Sequence, residues 1–137
     1  MGGNGRSPSP GAAVTAAAVD HVLLSYLYLD EGDLDGYGSL LADDVRMTRP
    51  GLPCVVGREN VVAQLASIAG PPSRHRLYRV IANGDCVAAE GRCTGPAALR
   101  VADGFRDVDF VDILTFSADG LLLGQRRYYG SAENHTA

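Results

Sequence analysis

The chain has 137 residues, enough for one domain with its own hydrophobic core and no need of disulfide or metal staples. Apolar residues make up 46% and charged residues 20%, the balance of a globular chain rather than a disordered one. A net charge of −4, with no cluster of Lys or Arg to override it, argues against a nucleic-acid binder.

Residues 1–13, MGGNGRSPSPGAA, are rich in Gly, Ser and Pro and read as a disordered tail. Residues 14–131 read as the domain and 132–137 as a flexible end. Val14 to about Glu31 is Ala- and Leu-rich, free of Gly and Pro, and stopped by Gly32, which predicts a long helix. Asp20 and His21 interrupt its apolar run, which is shorter than the ~20 residues a membrane span needs, so a buried helix is expected and no membrane partner. Asp33 is placed to cap a short second helix reaching about Leu41. DVRMTRP is a short strand halted by Pro50, GLPCVVG a turn with a further extended piece, and RENVVAQLASIAG a third helix ended by Gly70-Pro71-Pro72. From Arg74 the pattern turns to strands. RHRLYRVIA and CVAAEGRCTG flank Asn83-Gly84-Asp85, and FRDVDFVDILTFS and LLLGQRRYYG flank Ala118-Asp119-Gly120, two hairpin signals. Helices first and an antiparallel meander after them predict an α+β fold.

Cys54, Cys86 and Cys93 form no C-x-x-C pair, and His21, His75 and His135 lack metal-ligand spacing. Reduced thiols in a cytoplasmic protein, with no metal and no cofactor, are the expectation. The feature that asks for a function is Asp109 and Asp112 within DVDFVDILTF. Side chains alternate along a strand, so an offset of three puts the two carboxylates on opposite faces, and the inward one needs a partner or a chemical role.

The order of elements, with the phrases LDEGDLDGYGSLLADDVRMTRP, VVGRENVV and VDFVDILTFSADGLLLGQRRYYG, resembles the nuclear transport factor 2-like superfamily, nearest to the SnoaL-like polyketide cyclases and ketosteroid isomerases. The resemblance covers about Val14 to Gly130. It implies a cone-shaped α+β barrel, with three N-terminal helices packed on a curved antiparallel sheet around one apolar pocket. It also implies a homodimer, for which Val101, Val111 and Ile113 supply the outer sheet face. In the isomerase pattern Asp112 falls where a carboxylic acid faces the pocket, and the cyclases place their acid/base aspartate at the same point. The isomerase general base would align with Arg49 and its oxyanion tyrosine with Ser25, beside Tyr26 and Tyr28. An epoxide hydrolase carboxylate would fall near Arg127. Those family residues are absent, so neither reaction is implied in its standard form.

Alternation from Asp112 turns Phe110, Leu114 and Phe116 inward. Across the hairpin the alignment turns Leu121, Leu123, Gln125, Arg127 and Tyr129 inward, and small Val87, Ala89, Gly91 and Cys93 leave room for a flat ligand. Asp112 and His75 are the catalytic candidates, Asp112 with its acidity tuned by burial, His75 suited to proton transfer near neutral pH. The ordinary structural alternatives are an Asp112–arginine ion pair and a strand-end histidine bonded to a loop. Arg49, Arg127, Tyr129, Gln125, Phe110, Leu114 and Tyr26 are the candidate substrate-binding residues. The implied function is a cofactor-independent acid/base enzyme that cyclises, isomerises or dehydrates a polyketide-like or polycyclic carbonyl compound. The alternative is a noncatalytic small-molecule binder or accessory protein of a biosynthetic pathway.

Overall fold

A computed structural model describes residues 10–68, 73–95 and 107–130. The tail expected over 132–137, most of that over 1–13, and the outer-face Val101 lie outside the described residues. Helix α1 spans Pro10–Glu31, α2 Leu34–Ser39 and α3 Arg58–Ala66. Strands β1 (Leu41–Thr48), β2 (Val55–Val56), β3 (Arg74–Asn83), β4 (Cys86–Thr94), β5 (Val108–Phe116) and β6 (Leu122–Tyr129) form one sheet in the order β2-β1-β6-β5-β4-β3.

The α+β class and both hairpins match the expectation. Gly84 (φ 62°) and Gly120 (φ 86°) supply the left-handed turn residues that L side chains resist. Asp33 caps α2, its carboxylate accepting from the Gly36 N–H at 2.9 Å. The sheet is mixed rather than wholly antiparallel, because β1 runs parallel to β6, and it is open, with β2 and β3 as its edges. The parallel pair arises because β1 reaches β6 through the intervening helix and hairpin, not through a tight turn.

Helix α1 buries a stripe at i, i+4 and i+8 formed by Ala18, Val22 and Tyr26, while Val14, Leu23 and Leu27 stay exposed. That stripe lies over β3 and β4, and α3 covers β1 with Val61 fully buried. Tyr37, Leu41, Val45, Met47, Phe110 and Leu114 fill the space between helices and sheet. On β6 the buried residue near the turn is Leu122, and Leu123 is exposed, the reverse of strict alternation. A register shift between Thr115 and Phe116 opposite moves the strand by one residue at the turn end, while Gln125 and Arg127 keep their inward face.

Candidate active site

Strand β5 sends Asp112 to the interior with no exposed surface, and Asp109 to the opposite face, where it pairs with Arg92 at 3.0 Å. Arg127 stands opposite Asp112 in the β5–β6 ladder. Its Nε donates to Asp112 Oδ1 and its Nη2 to Oδ2, both at 2.7 Å, a bidentate pair. From α1, the Tyr26 hydroxyl donates to Asp112 Oδ2 at 2.5 Å. The tyrosine that reaches the site is therefore Tyr26. Ser25, one residue earlier, is buried in the helix and donates back to the Val22 carbonyl.

Of the two readings open for Asp112, an acid tuned by burial and an arginine ion pair, the structure shows the ion pair. Burial alone does push the carboxyl up, but the charge and hydrogen bonds of Arg127, with that of Tyr26, outweigh it and leave Asp112 below the ordinary carboxylate range. Asp112 is ionised, both oxygens are engaged, and it has no proton to give. Burial and the adjacent carboxylate push Tyr26 upward, so its hydroxyl stays protonated. Burial likewise raises Tyr37, to about 12, and Tyr129.

Aromatic rings frame the pair. The Arg127 guanidinium lies 4.4 Å from the centroid of Phe110 and 5.9 Å from that of Tyr129. Leu114 and Gln125 are buried beside them, with Gln125 Oε1 accepting from Tyr37 at 3.5 Å. Buried Cys93 lies 3.9 Å from Arg127 Nη1, and burial raises its thiol, so it is not activated. At Gly91 the expected room for ligand is taken by backbone: a Cβ there would stand 2.2 Å from the Arg76 carbonyl oxygen.

His75 completes the cluster from β3. Its ring lies 5.1 Å from Tyr26 and packs edge-on to Phe110 at 5.5 Å, and its side chain is only 2% exposed. Asp30, at the end of α1, holds it through the ring Nδ1 at 2.7 Å and the backbone N–H at 3.1 Å. A carboxylate at Nδ1 fixes that nitrogen as the N–H and leaves Nε2 with its lone pair. Nε2 is buried and has no hydrogen-bond partner among the described residues. Burial depresses the imidazole below its ordinary value despite the pull of Asp30, so it is neutral near pH 7. A cavity of about 280 Å³ adjoins the pair, lined by Asp30, Arg74, His75, Arg76, Arg92, Thr94 and Asp107.

Arg49 follows β1, two residues past buried Met47, and its Nη2 lies 3.4 Å from the Met47 Sδ. Asp30 was not singled out from sequence, yet it continues the α1 stripe of Ala18, Val22 and Tyr26 by one more step of four, an acidic residue on a buried face. Among the described residues no group of His, Cys, Asp or Glu gathers to hold a metal ion, and no helix is long and apolar enough to cross a membrane.

The sequence pattern of the SnoaL-like domain matches residues 24–124, most of the chain. The chain belongs to the SnoaL-like family. Solved structures place this SnoaL-like chain among nuclear transport factor 2-like folds. A protein assigned as a SnoaL-like polyketide cyclase from Jannaschia sp. CCS1 superposes with a TM-score of 0.73 at 24% identity, over 97% of this chain and 96% of that one. An LEH-like epoxide hydrolase from M. tuberculosis gives 0.73 at 19% identity, over 85% and 80%. TerC, co-crystallised with polyporic acid, gives 0.68 at 21% identity, over 87% and 95%. No curated protein shows significant sequence similarity to the chain. At these identities the structural likeness establishes the SnoaL-like fold, and the chemistry rests on this chain's own residues.

Proposed function

We propose that the protein is a cofactor-independent acid/base enzyme that moves a proton at or beside a carbonyl group of a polycyclic, polyketide-like compound in a biosynthetic pathway. The observation that carries this reading is the Asp30–His75 pair, with a neutral, buried imidazole whose Nε2 lone pair has no partner among the described residues. In this reading His75 is the base, replacing Asp112 in that role. Nε2 takes a proton from the carbon next to the carbonyl, and the electron pair of the broken C–H bond passes to the carbonyl oxygen as an enolate. The imidazolium then returns the proton, to another carbon in an isomerisation, or to the alkoxide formed when the enolate attacks a second carbonyl in a cyclisation. Loss of water from that alcohol would be the dehydration. Arg127 and Arg49 place positive charge on the inner face where the oxyanion develops, while Asp112 and Tyr26 hold Arg127 in place. The polyketide cyclase and polyporic acid neighbours support a polycyclic carbonyl substrate.

Deuterium uptake from D2O next to the carbonyl of polycyclic ketones such as 2-tetralone tests the reading. Acceleration by the protein that His75→Gln abolishes is the expected result. No acceleration across such ketones and 1,3-diketones, or one that His75→Gln retains, would overturn it.

A second reading, a noncatalytic binder of the same compounds, is favoured by one observation: both Asp112 oxygens are already bonded. It predicts tight ligand binding with no exchange. Under either reading we propose a homodimer formed through the outer sheet face, where Tyr78, Ile81 and Tyr128 are more than half exposed. A cytoplasmic setting is supported by the three free thiols.

A further inference from the structure

We infer that the ligand of this site enters as an organic oxyanion with one negative charge, an aryl carboxylate or an enolised 1,3-dicarbonyl, and that Arg49 anchors it. The inference rests on the inner face of the sheet being the ligand site and deepens that reading by naming the ligand's charge.

One row of the sheet carries more positive than negative charge. Strand β1 pairs in parallel with β6 through Met47–Gln125 and Thr48–Arg126. One more step in that register sets Arg49 beside Arg127, and Arg127 in turn faces Asp112. The row therefore reads cation, cation, anion. Asp112 is saturated, because its two oxygens already accept three hydrogen bonds from Arg127 and Tyr26. The groups that face the row add no negative charge: burial keeps His75 neutral and keeps the hydroxyls of Tyr26, Tyr37 and Tyr129 protonated.

Arg49 meets a thioether, a weak acceptor, and forms no ion pair with a carboxylate among the described residues. The acidic residues of its own strand do not serve it: Asp43 and Asp44 are exposed, and Asp43 is bound to Arg58 at 2.7 Å. A guanidinium keeps its charge, and one that is partly desolvated beside a second guanidinium favours an anion as its neighbour. Carboxylates and enolates match its planar fork of donors. The buried Nε2 of His75, whose ring packs on the Phe110 that also carries Arg127, is a second polar atom without a hydrogen-bond partner among the described residues.

Binding of matched acid and neutral probes by calorimetry tests this: 2-naphthoate against 2-naphthamide, and dimedone, an enolate at neutral pH, against its neutral methyl enol ether. The wild-type protein should bind the anion of at least one pair about tenfold or more tightly than its neutral partner, the usual effect of a charged hydrogen bond. Arg49→Gln should remove that preference, and His75→Gln should keep it. The two pairs separate carboxylate from enolate recognition. No preference for either anion in the wild-type protein, including no binding of any probe, would overturn the inference, as would a preference that Arg49→Gln retains. Because the preference is read in binding and survives His75→Gln, its failure is distinct from failure of the proton-transfer reading.

Discussion

Asp30 grips His75 by two bonds at once, taking the ring Nδ1–H on one oxygen and the backbone N–H of the same residue on the other. The first bond sets the tautomer and the second sets where the strand delivers the ring. A base prepared in this way predicts a specific response to pH. Activity should hold below the ordinary histidine value of about 6.5 and fall only at lower pH, because burial depresses the imidazole. His75→Gln should lower turnover by about a hundredfold or more and remove that acid limb, as read from a pH–rate profile.

The same depressed imidazole affects stability, with a definite sign. Above about pH 6.5 neither folded nor unfolded chain protonates His75, and the linkage contributes nothing. Below it, the unfolded chain binds a proton that the folded one refuses, so the melting temperature should drop as pH falls from about 6.5 toward the depressed folded value. Thermal melts of His75→Gln should show a flatter profile in that window. Asp112 acts in a separate one: its lowered carboxyl adds stability above about pH 4 that is lost at more acidic pH.

Replacing Asp112 with Asn should act mainly on stability. It leaves the buried Arg127 guanidinium without its counter-charge, at a cost of about 3–5 kcal/mol in chemical denaturation. Asp109→Asn, which breaks a half-exposed pair with Arg92, should cost about 1 kcal/mol or less. Equal losses from the two substitutions would contradict the placement of Asp112 as the inner partner.

Gly91→Ala tests the approach of β3 to β4. The added methyl would meet the Arg76 carbonyl oxygen at 2.2 Å, and backbone cannot swing aside as a side chain can. A loss of about 1–3 kcal/mol or more is expected in denaturant melts, from overpacking alone.

The outer face gives a prediction of assembly. Light scattering at micromolar concentration should report a mass twice that of the chain. Tyr128→Glu, on that exposed face, should shift it toward the monomer. A monomeric mass for the unchanged protein would remove the proposed dimer.

Much of this was readable in the residues, and the failures have particular causes. Alternation separated Asp112 from Asp109, because local periodicity fixes it, and the family alignment turned Arg127 to the same inward face. Leu123 was misplaced because the register shift at the hairpin end is a property of two strands together. The choice between an Asp112 acid and an Asp112–arginine ion pair stayed open in the sequence for a similar reason. Burial and Arg127 push its proton equilibrium in opposite directions, and only their distance decides the winner. Asp30 escaped notice because its partner lies 45 residues away. Tyr26, rather than Ser25, reaches the site because the angular phase of α1 is set by packing, which a lineup of family positions does not contain.

The parallel contact between β1 and β6 has a consequence for how the site comes into being. Arg49, just past the end of β1, and Arg127 on β6 lie far apart along the chain, so the row of charges is closed by a long-range contact. Such closure pays its entropy before its contacts form and is slow. The hairpin β5–β6 can place Arg127 against Asp112 early, through local pairing, whereas Arg49 arrives only when β1 docks. A chain caught before that step would hold a neutral ion pair and a formed hairpin, yet lack the excess positive charge. Recognition of an anion would then report the docking of β1 on β6, and a bound ligand would stabilise that contact.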